Sequence, residues 1–71
     1  MSQYKSLINF EKGKHLALAR DRMMLSREQM AQKLSIDPVY LAQLEEGRRE
    51  IDDWYLGRAE EMAREFDRFY H

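Results

Sequence analysis

This sequence predicts an all-α fold: a compact arrangement of four or five helices, organised as one domain over residues 1–71. Three observations carry that expectation. Apolar side chains recur at i, i+3 and i+4 along most of the chain, the period of a helix with one buried face. Two strong helix-start signals, at Ser26 and at Asp37-Pro38, stand close together in the middle. One proline and three glycines leave little room for linkers or for a run of turns between strands.

Asn9 can cap a first helix near residues 10–23, with Phe10, Gly13, Leu16, Ala17, Arg20 and Met23 at helical spacing. Ahead of it, Tyr4, Leu7 and Ile8 fall at i, i+3, i+4, so residues 1–8 are read as an arm or a short extra turn. The second helix spans about 27–34. Ser26 and Gln29 make a capping box, in which the serine hydroxyl accepts from an unpaired N–H and the glutamine reaches back. Met30, Ala31 and Leu34 then share one face, and Ser35-Ile36 allow only a short connection. The third helix spans about 38–46. Asp37 caps it, Pro38 suits its first position because the missing N–H would be unpaired there, and Leu41 and Leu44 form its buried stripe. Gly47 ends it, since glycine takes the left-handed conformation without steric cost. These two short helices and their tight connection form a helix-turn-helix at about 26–47. After Arg48–Ile51, Asp52 or Asp53 caps a long C-terminal helix over 52–70, where a carboxylate also favours the helix dipole. Its apolar positions are Tyr55 or Leu56, Ala59, Met62, Ala63, Phe66, Phe69 and Tyr70.

Composition excludes several classes. Without cysteine there is neither a disulfide framework nor a cysteine metal site, which suits a reducing cytoplasm. Apolar runs such as Met23-Met24-Leu25 fall far short of a membrane span or signal peptide. His15 and His71 have no partner at metal-ligand spacing, and neither a phosphate-binding glycine loop nor a nucleophile elbow is present. Asp52-Asp53 and Glu60-Glu61 read as cap and surface charge rather than an acid/base pair. The expectation is a non-enzyme that needs no metal and no cofactor.

The net charge of −1 hides an asymmetry. Residues 1–49 carry nine Lys/Arg and six Asp/Glu, a balance of +3, whereas residues 50–71 carry three and seven, a balance of −4. Affinity for nucleic acid depends on the phosphates that the docked face neutralises, not on the whole-chain sum. A basic half holding the motif and an acidic half holding none fit one face toward DNA and one away. For the acidic half, simple solvation of helix surfaces is the preferred reading.

Phe10, Leu16 and Arg20, Leu25-Ser26, Met30-Ala31, Leu34 with Ile36, Tyr40-Leu41, Leu44-Glu45 and Gly47-Arg48 together resemble the lambda-repressor-like helix-turn-helix domains of the Xre/Cro type. The likeness covers roughly residues 10–66 and is more specific in spacing than in side chains. It implies a cytoplasmic, sequence-specific regulator of transcription, a small dimeric repressor whose third helix enters the major groove of a two-fold-related operator. Base-facing positions would be Pro38, Val39 and Gln43, with Tyr40 and Ala42 beside them. Gln43 can pair bidentately with adenine, and Val39 can touch a thymine methyl. Tyr40 is read equally as a DNA contact and as partial core packing. Phosphates would be held by Arg27 at the start of the second helix, by Arg48 and Arg49 after the third, and more weakly by Lys14 and Lys33. Arg20 and Glu45 match positions that form a partly buried ion pair between the first and third helices.

The chain departs from the family pattern at four places. Pro38 and Val39 replace polar residues, which shifts weight from direct base reading to phosphates and DNA shape. Met24 and Ser35 stand where glycine is usual at the two turns. A longer fourth helix replaces the separate fifth one. It ends in Phe66, Phe69 and Tyr70, aromatics that serve either as core or as a self-complementary dimer contact. A rival expectation is a protein-binding module on the same scaffold, antitoxin-like or regulator-binding, whose acidic C-terminal surface engages a protein partner.

Overall fold

The computed structural model describes residues 3–70, with side chains from Lys5 onward; the Tyr4 side chain and His71 lie outside the described residues. Four helices follow in order: α1 Gln3–Arg22, α2 Arg27–Leu34, α3 Pro38–Glu45 and α4 Asp53–Phe69. No strand occurs among the described residues. The all-α prediction holds, with four helices.

Helix α1 starts earlier than its sequence signals suggest. It begins at Gln3, so Asn9 lies inside the helix rather than capping it, and the described part of residues 1–8 is helix rather than arm. The physical reason is continuity. Residues 5–8, Lys-Ser-Leu-Ile, contain no helix breaker, and an internal asparagine costs only a few tenths of a kcal/mol more than a good helix former, roughly 0.5. Phe10 also departs from expectation. The residue is 53% exposed although its spacing puts it on the core stripe. Its backbone is what packs: a Cβ on Gly47 would lie 2.7 Å from the Phe10 Cα, so the chain after α3 runs hard against α1 there.

α1 and α4 lie side by side and run in the same sense. Lys12 meets Asp53 at 2.8 Å at one end, and Arg22 pairs with Asp67 at the other. Leu16, Ala19 and Met23 of α1, Met30, Ala31 and Leu34 of α2, Leu41 and Leu44 of α3, Ile51 of the loop and Ala59 and Ala63 of α4 form one core. Leu16, Met30, Leu41 and Leu44 are completely buried, each contributing about 1.5–3 kcal/mol of transfer free energy. Every motif-helix residue that periodicity assigns to the interior is found there.

α1 crosses α3 at Gly13, where an added Cβ would lie 2.3 Å from the Leu44 carbonyl oxygen and 2.8 Å from that of Glu45. No side chain fits, and this close crossing fixes the height of α3 on the body. Both turns keep the left-handed backbone that glycine usually supplies, against the preference of the residues present. Met24 (φ 56°) and Ser35 (φ 59°) adopt the left-handed conformation without being glycine, a strain on the order of 1 kcal/mol each.

Candidate nucleic-acid interface

The two motif helices are held by the caps their sequence encodes. The Gln29 N–H donates to Ser26 Oγ at 3.1 Å while the Ser26 N–H donates to Gln29 Oε1 at 2.8 Å, completing the capping box. The Val39 N–H donates to Asp37 Oδ1 at 2.7 Å, so Asp37 is engaged as a cap and Pro38 takes the first turn. Between them, the Ile36 N–H donates to the Ala31 carbonyl at 2.9 Å and closes the turn. Gly47 (φ 74°) ends α3, and the Arg48 N–H returns to the Gln43 carbonyl at 2.9 Å.

This frame turns Leu41, Leu44 and Glu45 inward and leaves Pro38, Val39, Ala42 and Gln43 on the outer side of α3. Val39 is 66% exposed. Tyr40 sits at the border. Its ring packs edge-on against Tyr55, with centroids 6.5 Å apart, and it belongs to the shell around the core. The packing half of its dual reading is thereby observed.

The cations divide into distinct groups. Arg48 is exposed and only loosely associated with Glu46, at 3.4 Å. Arg27, at the first turn of α2, donates from Nε to Glu45 Oε1 at 2.9 Å, so part of its guanidinium is committed within the protein. Arg49 donates from Nε to Gln43 Oε1 and lies over the Tyr40 ring, 5.7 Å from its centroid. Lys14 follows Gly13, next to the C-terminal end of α3, and makes no ion pair among the described residues. Lys33 lines a groove with Leu25, Met62 and Phe69, at the opposite end of α2 from Arg27. The structure thus brings Gln43, Arg49 and Tyr40 together and sets Lys33 apart.

Glu45 organises the interior edge of this surface. Its side chain is only 2% exposed and accepts from Arg20 Nε at 2.8 Å, from a terminal Arg20 nitrogen at 3.1 Å and from Arg27. Arg20 also donates to the Leu25 carbonyl at 2.9 Å. The hydrogen bond that Arg20 donates to Glu45 raises the Arg20 pKa above its ordinary value against the opposing effect of desolvation, so this guanidinium stays charged. No buried side-chain polar atom among the described residues lacks a partner. The family resemblance predicts the Arg20–Glu45 pair. It does not predict the addition of Arg27, and no local spacing signals it, because the partners stand 18 residues apart.

The remaining polar candidates are accounted for by ordinary structure. Asp52 caps α4, accepting from the Trp54 N–H at 2.9 Å, Asp53 pairs with Lys12, and Glu61 pairs with Arg58 at 3.1 Å. His15 is exposed beside α4, and no group of three metal-ligating side chains occurs among the described residues.

Two capped helices joined by a three-residue turn, with the second presented outward on a small helical body, define a DNA-binding helix-turn-helix domain. The protein-family model described as Helix-turn-helix matches residues 16–53, and the chain belongs to this family, the lambda-repressor-like domains of Xre/Cro type. No curated protein and no solved structure matches the chain. The family is one of DNA-binding regulatory domains and is not typically enzymatic. No described helix is long and apolar enough to cross a membrane.

Proposed function

We propose that the chain is a small cytoplasmic repressor that binds a two-fold-related operator as a homodimer, with α3 in the major groove. The observation that carries this reading is the outer face of α3. Exposed Val39 and half-buried Ala42 and Gln43 lie there outside the core cluster, with Arg27 at the start of α2 and Arg48 just past the end of α3 to grip phosphates. Pro38 stands at the tip of the helix, Lys14 supplies a flanking charge, and Lys33 is the weakest phosphate candidate.

Binding should therefore depend steeply on salt. In a mobility-shift assay on the gene's own upstream DNA, log affinity should fall linearly with log salt, by about 0.9 per phosphate contact. Arg48→Ala should shallow that slope by about 0.9 for each phosphate no longer neutralised and weaken all duplexes alike. Arg48 is suited to this test because its side chain is 69% exposed and, among the described residues, is tied only by the loose contact to Glu46. Salt-independent retention, or an Arg48→Ala protein equal to wild type, would sink the DNA reading.

The dimer part of the proposal rests on surplus apolar surface at the end of α4. Phe69 is 77% and Tyr70 75% exposed, and Tyr70 stacks on half-buried Phe66 with centroids 4.7 Å apart. With Leu25 and Met62 they border one groove. A second copy laying the same aromatics into this groove across a two-fold axis buries both sets. Two recognition helices would then meet half-sites about 34 Å apart, multiplying the discrimination of each. Phe69→Asp should give a helical monomer in sedimentation at micromolar concentration, with operator affinity reduced far more than any single side chain at the DNA explains. A wild-type monomer, or a Phe69→Asp dimer, would move the interface elsewhere.

A second reading, a protein-binding module, is favoured by the tip of α3, where Pro38 and exposed Val39 offer no polar group to a base edge. It predicts capture of a protein partner by the acidic α4 surface, weakened by salt as charge-guided contacts are, and no duplex retention.

A further inference from the structure

The family resemblance places Arg49 on a phosphate, yet two contacts tie it to α3 instead. Its Nε donates to Gln43 Oε1. Its guanidinium lies over the Tyr40 ring, 5.7 Å from the centroid. That ring is itself braced edge-on by Tyr55, which is braced edge-on by Trp54 at 5.2 Å. Tyr40 and Gln43 stand at i, i+3, so they share one side of α3, and the reversal at Gly47 brings Arg49 back across both. A guanidinium has donors only, so it can engage the amide of Gln43 solely through the carbonyl oxygen. This fixes which end of the amide faces Arg49. The amino end, with its two N–H donors, is the end left for a base.

Resting on the DNA-binding reading above, we propose that Arg49 is a positioning residue for base recognition: by holding Gln43 Oε1 it makes Gln43 a donor-only reader of an acceptor edge, preferring guanine to adenine. Bidentate reading of adenine needs the amide oxygen and nitrogen side by side at the base, the oxygen accepting from N6 and the nitrogen donating to N7. With the oxygen drawn to Arg49, that pairing is lost. Guanine instead presents two acceptors, O6 and N7, to the two N–H groups. The cation–π contact with Tyr40 adds rigidity, and a planar guanidinium lies on the ring while its Nε holds the amide, two contacts that the compact, strongly hydrated ammonium of lysine does not hold in one geometry. Arg48, its neighbour, stays on phosphate duty.

The test selects half-sites from randomised duplexes with wild type, Arg49→Ala, Arg49→Lys, Arg48→Ala and Gln43→Ala proteins, each first shown by circular dichroism to be folded. Wild type should favour guanine at one position per half-site. Gln43→Ala should flatten that position, and Arg49→Ala should shift the guanine-to-adenine ratio there toward adenine by roughly tenfold. Arg49→Lys should fail to restore it, and Arg48→Ala should leave it unchanged. Arg49→Ala with unaltered base preference, or Arg49→Lys matching wild type while Arg49→Ala merely shallows the salt slope, makes Arg49 a phosphate contact and overturns the proposal. A wild-type preference for adenine at the Gln43 position overturns it too. Failure of the wild type to retain any duplex removes the DNA reading itself and this proposal with it, an outcome distinct from the others.

Discussion

Replacing Glu45 by alanine is expected to cost about 3 kcal/mol or more and to leave a large fraction of chains unfolded at moderate temperature. A chain of this length has only about 4–11 kcal/mol of total stability, so one such loss is decisive. The carboxylate is nearly sealed from water at 2% exposure and receives three N–H donors from two arginines. Its removal strands Arg20, which is 16% exposed and keeps only the Leu25 carbonyl and a distant contact to Asp21 at 3.6 Å. Breaking one partner of a buried pair costs about 3–5 kcal/mol, and the residual exposure of Arg20 places the effect at the lower end. Arg27→Ala is the control. Arg27 is 40% exposed, Glu45 keeps both Arg20 bonds, and the loss should stay under about 1 kcal/mol. Urea denaturation of both variants reads the difference. A Glu45→Ala protein within about 1 kcal/mol of wild type would mean the triad contributes little beyond registry.

Gly13→Ala should destabilise by about 2–3 kcal/mol, whereas Gly57→Ala should stabilise by about 0.5–1 kcal/mol. Both glycines sit inside helices, so alanine brings both the same gain in helix propensity. Their surroundings decide the sign. At Gly13 the new Cβ would fall 2.3 Å from the Leu44 carbonyl oxygen and 2.8 Å from that of Glu45, and backbone cannot step aside as a flexible side chain could. α1 would have to lift from α3, loosening the Arg20–Glu45 bonds that bridge the same two helices. At Gly57 nothing lies within 4 Å of the new atom. Thermal unfolding should separate the variants, at roughly 4–8 °C per kcal/mol for a domain this small. Equal melting points would show that the α1–α3 crossing yields more easily than its geometry suggests.

Chemistry reaching only a few residues was legible in the sequence. Ser26 with Gln29, Asp37 with Pro38, and Gly47 each act within one helical turn, so both motif helices and their ends follow from local bonding. The same holds for Met30, Ala31, Leu34, Leu41 and Leu44, whose spacing alone assigns them to the interior. Even so, Asn9 shows the limit of a local signal, because a cap residue is overridden when helix-forming neighbours continue past it. Phe10 shows another: periodicity puts it on the buried face, but the close approach of Gly47 packs its backbone and leaves its ring outside.

What only the tertiary structure decided is which distant side chains meet. Arg27 reaches Glu45 because α2 and α3 are held at one angle by the shared core, and nothing in their 18-residue separation encodes that contact. Arg49 reaches Gln43 because the chain reverses at Gly47 against α1, so a residue that reads as a free phosphate cation is drawn onto α3. The sequence by itself determined the helices, their caps and their apolar faces, since those depend on bonds and burial within a turn or two. The pairing of charges on the outer surface depends on helix packing and on side-chain reach across it, and that is settled only when the whole body assembles.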